Sequence, residues 1–134
     1  MWDLTSSSMR AFLKKINSKL YLVFEKSPVA LYRVVSSNEY MLLTKYGFEF
    51  TFRSSKLFFA LSRQDVHRLL LPELLEANAD VYGIVRYRID LRDDLKLPAI
   101  KKGEGILVLI DRESVLRGRV RCLGFRLVEE LRRG

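Results

Sequence analysis

The amino-acid sequence predicts an α+β fold in which short β-strands dominate and short helices connect them. Near the N-terminus, Met9, Phe12, Leu13 and Ile16 recur at the spacing of an amphipathic helix. Runs rich in β-branched and aromatic residues follow, and turn-forming residues separate them. Gly105–Ile110 is wholly apolar and has the length of a buried strand. These observations favour a compact α+β protein of one good core or two small units.

Residues 1–55 are predicted to form a small α+β unit. Its helix carries Arg10, Lys14 and Lys15 on the solvent side. Ser27-Pro28, the segment 37–39 and Gly47 are turn signals between the strands that follow. The predicted strands are Leu20–Glu25, Val29–Ser36, Tyr40–Tyr46 and Phe48–Arg53.

Residues 56–134 are predicted to form a small mixed-strand barrel with a helix near its start. Ser62 is the predicted N-cap of that helix, whose apolar face is Val66, Leu69 and Leu70. Asn78 suits a left-handed stop after a second short turn opened by Pro72. The other predicted segments are strands Lys56–Leu61, Tyr82–Leu91, Gly105–Ile110 and Val115–Leu123, a polar connection Arg92–Lys102, and Phe125–Arg133 as a strand or a short closing helix.

The charge balance is strongly basic, with 24 Lys and Arg against 16 Asp and Glu and a net charge of +8. Such an excess attracts polyanions, whether RNA, DNA, an anionic membrane surface or an acidic protein. No apolar stretch approaches the roughly 18 residues that cross a bilayer, so no membrane-spanning segment is expected, and a membrane is not among the predicted partners. The N-terminus lacks the pattern of a secretory signal, which predicts a cytoplasmic protein. A lone cysteine excludes an internal disulfide and a multi-cysteine metal site, and no cofactor is expected.

Two series of arginines are candidate phosphate contacts. On the predicted strand Val115–Leu123, Arg117, Arg119 and Arg121 share one face. Alternate strand residues lie about 6.5–7 Å apart, close to the pitch of successive phosphates on one nucleic-acid strand. Arg86 and Arg88 share a face of the predicted strand Tyr82–Leu91 in the same way. The alternative is an outer sheet face whose charges deter edge pairing.

Catalytic signals are weak. His67, the only histidine, lies in an apolar helical pattern, and Cys122 lies on the apolar side of its predicted strand. The acidic residues Asp90, Asp93 and Asp94 have the composition of a strand exit, with a cation site as the alternative. No nucleophile-elbow, zinc-protease or phosphate-loop motif is present. The sequence therefore predicts that the protein is not an enzyme and that His67 and Cys122 are dispensable.

Residues 62–121 resemble the PUA domain, a small pseudobarrel that recognises structured RNA. The matching pieces, in order, are Val66–Leu70, Ala79-Asp80-Val81, Gly83-Ile84-Val85, Lys101-Lys102-Gly103-Glu104, Ile106–Asp111 and Leu116-Arg117-Gly118-Arg119. The chain departs from the pattern at Asn78, where the family has glycine, and at Tyr82, where it has proline. The resemblance implies a PUA-like barrel over residues 56–134 and RNA lying against the loop Asn78–Gly83. It also implies contacts from Arg117, Arg119, Arg121, Lys101 and Lys102, with Arg86 and Arg88 as further candidates.

The whole chain is also similar to archaeal two-domain proteins in which a small pre-PUA unit precedes the PUA domain. These are relatives of a factor that assists assembly of the large ribosomal subunit. The similarity involves Leu4-Thr5, Phe12 and the ending 128–133. It implies RNA and ribosome-assembly proteins as partners in ribosome assembly or RNA modification. The alternative functions are a protein-interaction or viral structural domain whose basic surface serves solubility, and an enzyme that uses the acidic cluster.

Overall fold

The computed structural model describes residues 10–131, which form one eight-stranded sheet with short helices. Every strand pair in this part of the chain is antiparallel. The strand order is β1-β2-β6-β7-β4-β3-β5-β8. The strands are β1 (Ala11–Ile16), β2 (Lys19–Phe24), β3 (Val29–Val35), β4 (Lys56–Ala60), β5 (Gly83–Leu91), β6 (Lys96–Lys102), β7 (Gly105–Asp111) and β8 (Val120–Glu130).

The helices are short and lie between strands. The helix α1 (Ser37–Lys45) is followed by a 3-10 helix (Phe48–Thr51). One helical segment comprises α2 (Arg63–Asp65), a π-helical turn (Val66–Leu70) and α3 (Leu71–Glu76). The last helix is α4 (Arg112–Leu116), between β7 and β8.

Two clusters of buried side chains lie on opposite faces of the sheet. The larger cluster, on the inner face, includes Phe24, Leu31, Phe59, Tyr87 and Val108, each exposed by 1% or less. The smaller cluster lies on the outer face and is covered by the helical segment 63–76. Its members include Val66 and Leu69 of that segment together with Tyr32, Ile84 and Leu107 of the sheet. Among residues 10–131 the helical segment covers the outer face at one end, and Arg88 beyond it is exposed.

Strands from the two predicted units alternate within the sheet. β3 lies between β4 and β5, and β2 pairs with β6. The larger core takes Leu22 and Leu31 from one side of residue 55 and Leu57 and Ile89 from the other. The predicted boundary at residue 55 therefore falls within a single sheet that has a shared core.

The predicted N-terminal helix is wrong. Residues 11–16 are a strand that pairs with β2 through a turn in which Asn17 and Ser18 have φ values of 51° and 68°. Two consecutive left-handed residues define the tight hairpin turn that matches the strand twist. The periodic residue Phe12 is 59% exposed, and Met9 lies outside the described residues. Pairing with β2 thus overrides the helical periodicity.

Two strands predicted after β3 are also wrong, because helices form there. The Ser36 side chain accepts a hydrogen bond from the Glu39 amide at 3.0 Å and caps α1. This helix replaces the predicted strand Tyr40–Tyr46, and the 3-10 helix replaces Phe48–Arg53. Local capping therefore outweighs the β-rich composition of these runs.

In the second half, the predicted polar connection Arg92–Lys102 is wrong because most of it forms β6, with Pro98 opposite Tyr21 of β2. The predictions for β2, β3, β4, β5 and β7 are confirmed within one or two residues. Ser62 caps its helix through the Asp65 amide at 3.1 Å, as predicted. β7 lies between β6 and β4 inside the sheet, as its apolar sequence requires. Phe125 to Glu130 are strand, the first of the two alternatives.

Candidate nucleic-acid interface

The arginine series predicted over Val115–Leu123 does not form. Asp111 accepts a hydrogen bond from the Ser114 amide at 2.6 Å and caps α4, so β8 begins only at Val120. Arg117 is the C-cap of α4, and its Nη2 lies 2.6 Å from Glu113 Oε1. The Nε of Arg119 lies 3.6 Å from Asp93 Oδ2. The predicted strand is wrong here because the side-chain cap stabilises a helical turn.

Arg121 is the one member of that series on a strand. It lies opposite Asp90 of β5, whose Oδ1 accepts a hydrogen bond from Ser27 at 2.9 Å. The three arginines therefore sit in different local environments, and two of them have carboxylate partners.

Lys101 and Lys102 end β6 next to the predicted tight turn, in which Gly103 has a φ of 58°. Lys102 Nζ donates to the Leu69 carbonyl at 2.6 Å and pairs with Glu73. This lysine joins β6 to the helical segment, so its main contacts are structural. Lys101 is exposed to solvent.

The loop Asn78–Gly83 is held by neighbouring elements. Asn78 has a φ of 57°, the predicted left-handed conformation. The Asp80 carboxylate accepts a hydrogen bond from the Ser37 amide at 3.0 Å, and Tyr82 stacks on Tyr40 at 4.8 Å. A Cβ at Gly83 would lie 2.5 Å from the Glu129 carbonyl oxygen, so only glycine allows β8 to approach this closely. The loop is therefore ordered by contacts with α1 and β8.

Arg86 and Arg88 share the outer face of β5, as predicted. The outer face of this strand begins with Ile84, which is buried under the helical segment, and continues to Arg86 beyond it. Arg86 lies opposite Tyr32 of β3 and opposite Arg126 of β8. These side chains form a row across three neighbouring strands.

A cavity of about 380 Å³ lies over this row and is called the arginine cavity below. Its lining contains three arginines and no carboxylate. The lining residues are Tyr32, Arg63, Gln64, Arg86, Arg126, Leu127 and Val128.

Arg63 is positioned over the cavity by β8. Its Nη1 donates to the Val128 carbonyl at 3.1 Å, and its Nε lies 3.8 Å from Glu129. The strand register shifts between Ile84 and Val85, so Val128 is an extra residue in β8. The shift places Arg126 and Glu129 on the same face, where strict alternation would separate them.

Arg86 and Arg126 form no ion pair or side-chain hydrogen bond with any other residue between 10 and 131. They lie directly opposite each other on adjacent strands. Like charges in this position destabilise a sheet. A bound anion between them would relieve the repulsion, and none of the residues lining the cavity supplies one.

The residues considered for catalysis have structural partners. His67 Nε2 lies 2.9 Å from both carboxylate oxygens of Glu129, a contact that the sequence did not predict. The Cys122 thiol donates to the Gly124 carbonyl at 3.3 Å, and burial raises the pKa of this thiol. A raised pKa lowers the thiolate fraction and hence the reactivity of a cysteine.

The acidic residues near the end of β5 each contact a different partner and do not form a cation-binding cluster. Asp90 binds Ser27, Asp93 lies near Arg119, and Asp94 pairs with Lys96. Between residues 10 and 131, no three His, Cys, Asp or Glu side chains are arranged to hold a metal ion.

Sequence reasoning missed Arg63 and Arg126. Arg63 follows the predicted cap Ser62, and Arg126 lies in the run left open as strand or helix. Their convergence with Arg86 depends on the pairing of β5 with β8 and on the bulge at Val128. The predicted alternation of Arg86 and Arg88 on β5 was the one sequence feature that pointed to a basic surface on this face.

None of the helices between residues 10 and 131 has the length and apolar character needed to cross a bilayer. Comparisons of the chain with protein-family models, curated proteins and solved structures gave no match.

Proposed function

We propose that this protein binds RNA and that the arginine cavity receives a backbone phosphate. The observation that carries the proposal is the cross-strand pair Arg86 and Arg126, two opposed cations in a cavity without a carboxylate. A phosphate between them would turn a repulsion into two attractions. Guanidinium groups suit this role because their planar donors match phosphate oxygens in pairs.

A second phosphate contact is available along the same strand. Arg88 lies two residues from Arg86 on the outer face, at a spacing of about 6.5–7 Å. Gly124 lies opposite Arg88, and a Cβ there would meet no atom within 4 Å. The surface beside Arg88 is therefore open. This spacing supports a nucleic-acid backbone that runs along β5, with successive phosphates at Arg86 and Arg88.

The proposed partner is structured RNA, in ribosome assembly or RNA modification, with ribosome-assembly proteins as further partners. A cytoplasmic, non-catalytic role is part of the proposal. A PUA-like relationship of residues 56–134 is also proposed, supported by the Lys101-Lys102 hairpin that leads into the apolar strand β7. In this proposal Arg86 and Arg88 take the place that the resemblance gives to Arg117 and Arg119, since the latter two have acidic partners.

The test compares two double variants that remove the same charge. Arg86→Gln/Arg126→Gln empties the arginine cavity of two cations, whereas Arg117→Gln/Arg119→Gln removes two arginines that already face carboxylates. RNA affinity is measured by fluorescence anisotropy over a range of salt concentrations. We expect the cavity variant to lose affinity at least tenfold and its log–log salt slope to fall by about 0.7, the value for one single-stranded phosphate contact.

The matched variant should lose less than threefold, because each of its arginines is already partly neutralised. Equal losses from the two variants would show diffuse charge attraction and would rule out the arginine cavity as the site. No measurable binding of structured RNA by the unmodified protein would contradict the proposed function itself and would favour a protein-interaction role.

A further inference from the structure

A second concave surface lies on the inner side of β8, on the other side of the strand from Arg126. It is a cavity of about 460 Å³ between the start of the 3-10 helix and residues 121–125 of the strand, and it is called the β8 groove below. β8 ends the strand order of the described sheet, so the groove and the arginine cavity flank the same edge strand.

The wall formed by β8 is apolar and accessible. Leu123 and Phe125 line the groove and are 40% and 39% exposed. Leu123 is the extra residue of a second register shift, where Cys122 pairs with Ile89 and Gly124 with Arg88. Bulges redirect side chains at sheet edges, often beside functional sites. This one leaves an aliphatic and an aromatic side chain facing the groove.

The residues that precede and follow the opposite wall in sequence are aromatic and exposed, although they are not among the residues lining the groove. Gly47 and Glu49 line the groove, and their chain neighbours Tyr46 and Phe50 are 59% and 56% exposed. The rings of Tyr46 and Phe50 lie 5.9 Å apart. Folded proteins bury most large aromatic rings, and a cluster of exposed ones marks a contact surface.

The two concave surfaces differ in charge, so that one suits the phosphates of a nucleic acid and the other suits its bases. The arginine cavity has no carboxylate in its lining, whereas the groove has Glu49 as well as Arg121. A carboxylate repels phosphate, but it accepts hydrogen bonds from the amino groups of bases. Aromatic rings bind bases of any type by stacking.

We propose that the β8 groove binds the unpaired bases of the RNA, with Phe125 as a stacking residue, while the phosphates lie against the arginines on the other side of β8. This inference rests on the proposed function. It names the ligand more closely as an RNA segment whose bases are unstacked and accessible, as in a loop or a single-stranded region.

The test uses two oligoribonucleotides of equal length, one with bases throughout and one abasic at its central positions. Both carry the same phosphates. Stacking contributes about 1–3 kcal/mol per base, so the unmodified protein should bind the base-bearing strand roughly 5- to 150-fold more tightly. Phe125→Ala should lower affinity for that strand about tenfold, within the same range, and change affinity for the abasic strand less than twofold.

Phe12→Ala is the matched control, since Phe12 is an exposed phenylalanine on β1 at the other end of the strand order. It should change neither affinity. Phe125→Leu, which keeps an apolar side chain in the groove but removes the ring, should repeat the base-specific loss if Phe125→Ala fails to fold. Equal binding of the two strands by the unmodified protein, or equal losses for both strands in the variants, would overturn the groove assignment. Failure of both strands to bind would instead overturn the proposed function.

Discussion

Arg33 and Arg86 lie on neighbouring strands and face opposite sides of the same sheet. Arg33 points inward, where its Nε and Nη2 lie 2.7 Å and 2.9 Å from the two carboxylate oxygens of Glu39. Its Nη1 donates to the Phe58 carbonyl at 3.1 Å, and its guanidinium lies 6.0 Å from the Phe59 ring centre. Arg86 points outward into the arginine cavity and has no such partner between residues 10 and 131.

The same residue type therefore has two roles in this sheet. On the inner face an arginine stabilises the fold, whereas on the outer face an arginine has no ion-pair partner among the described residues. Burial lowers the pKa of Arg33, but the hydrogen bond and the negative charge of Glu39 outweigh it and raise the pKa above its ordinary value. The charge of Arg33 is therefore committed to the fold. The charge of Arg86 has no carboxylate partner among residues 10–131, and in the proposed function it binds a phosphate.

The largest expected effect on stability is at Arg33. Arg33→Met leaves Glu39 without its partner inside the protein, and breaking a buried pair in this way costs about 3 kcal/mol. Urea denaturation measures the loss, and the double variant Arg33→Met/Glu39→Met should recover part of it. RNA affinity of the folded protein should stay unchanged. If Arg33→Met lowered RNA affinity as much as the cavity variant does, the inner-face arginine would also contribute to binding, and the proposed difference between the two faces would be wrong.

A smaller effect is expected at alkaline pH from Tyr87, which lies on β5 beside Arg86 in sequence but on the inner face. Burial, and then the charge of Glu39, raise the pKa of this phenol far above its ordinary value of 10.0. Above pH 10 the unfolded chain releases the phenolic proton while the folded protein keeps it, so stability falls as pH rises. The loss should approach about 1.4 kcal/mol per pH unit.

Tyr87→Phe removes this group and should flatten that part of the pH dependence, measured by urea denaturation between pH 9 and pH 11. The variant and the unmodified protein should respond alike below pH 9, where the phenol is protonated in both states. An identical alkaline slope in the two proteins would show that the interior beneath β5 is open to water.

The smallest expected effect is at Arg126 and has the opposite sign from that at Arg33. Arg126→Gln removes one of two opposed like charges, so the free energy of unfolding should rise by about 0.5 kcal/mol at low salt. The gain should shrink as salt screens the repulsion. Arg117→Gln, which loses an exposed ion pair, should bring no gain. Destabilisation by Arg126→Gln would mean that the arginine pair is compensated.

The sequence predicted five of the eight strands because their composition, their turns and their burial agree. The prediction failed where a β-rich run follows a residue that caps a helix. Ser36 caps α1 and Asp111 caps α4, and helices form there although strands were predicted. The prediction also failed at β1. The spacing of apolar residues predicted a helix, but the segment pairs with β2 as a strand.

For the candidate site, alternation within β5 was sufficient to place Arg86 and Arg88 on one face. Arg126 joins them only through the register of β8, and that register contains two irregularities. Arg63 joins them through a hydrogen bond to the Val128 carbonyl. Local composition does not predict long-range strand pairing or bulges. The proximity of Arg63, Arg86 and Arg126 could therefore be found only from the three-dimensional structure.

The alternating strand order has a consequence for how the protein is made. Tyr21 of β2 finds its neighbour Pro98 on β6, and β3 receives its long partner only when β5 has been synthesised. Contacts so distant along the chain slow folding. The chain is synthesised from its N-terminus, so in the nascent chain β2 has only its hairpin partner β1, and β3 has neither of its partners, until the later strands have been made. During that interval they are exposed to aggregation, and we expect the newly made polypeptide to depend on chaperones until β6 and β7 have emerged.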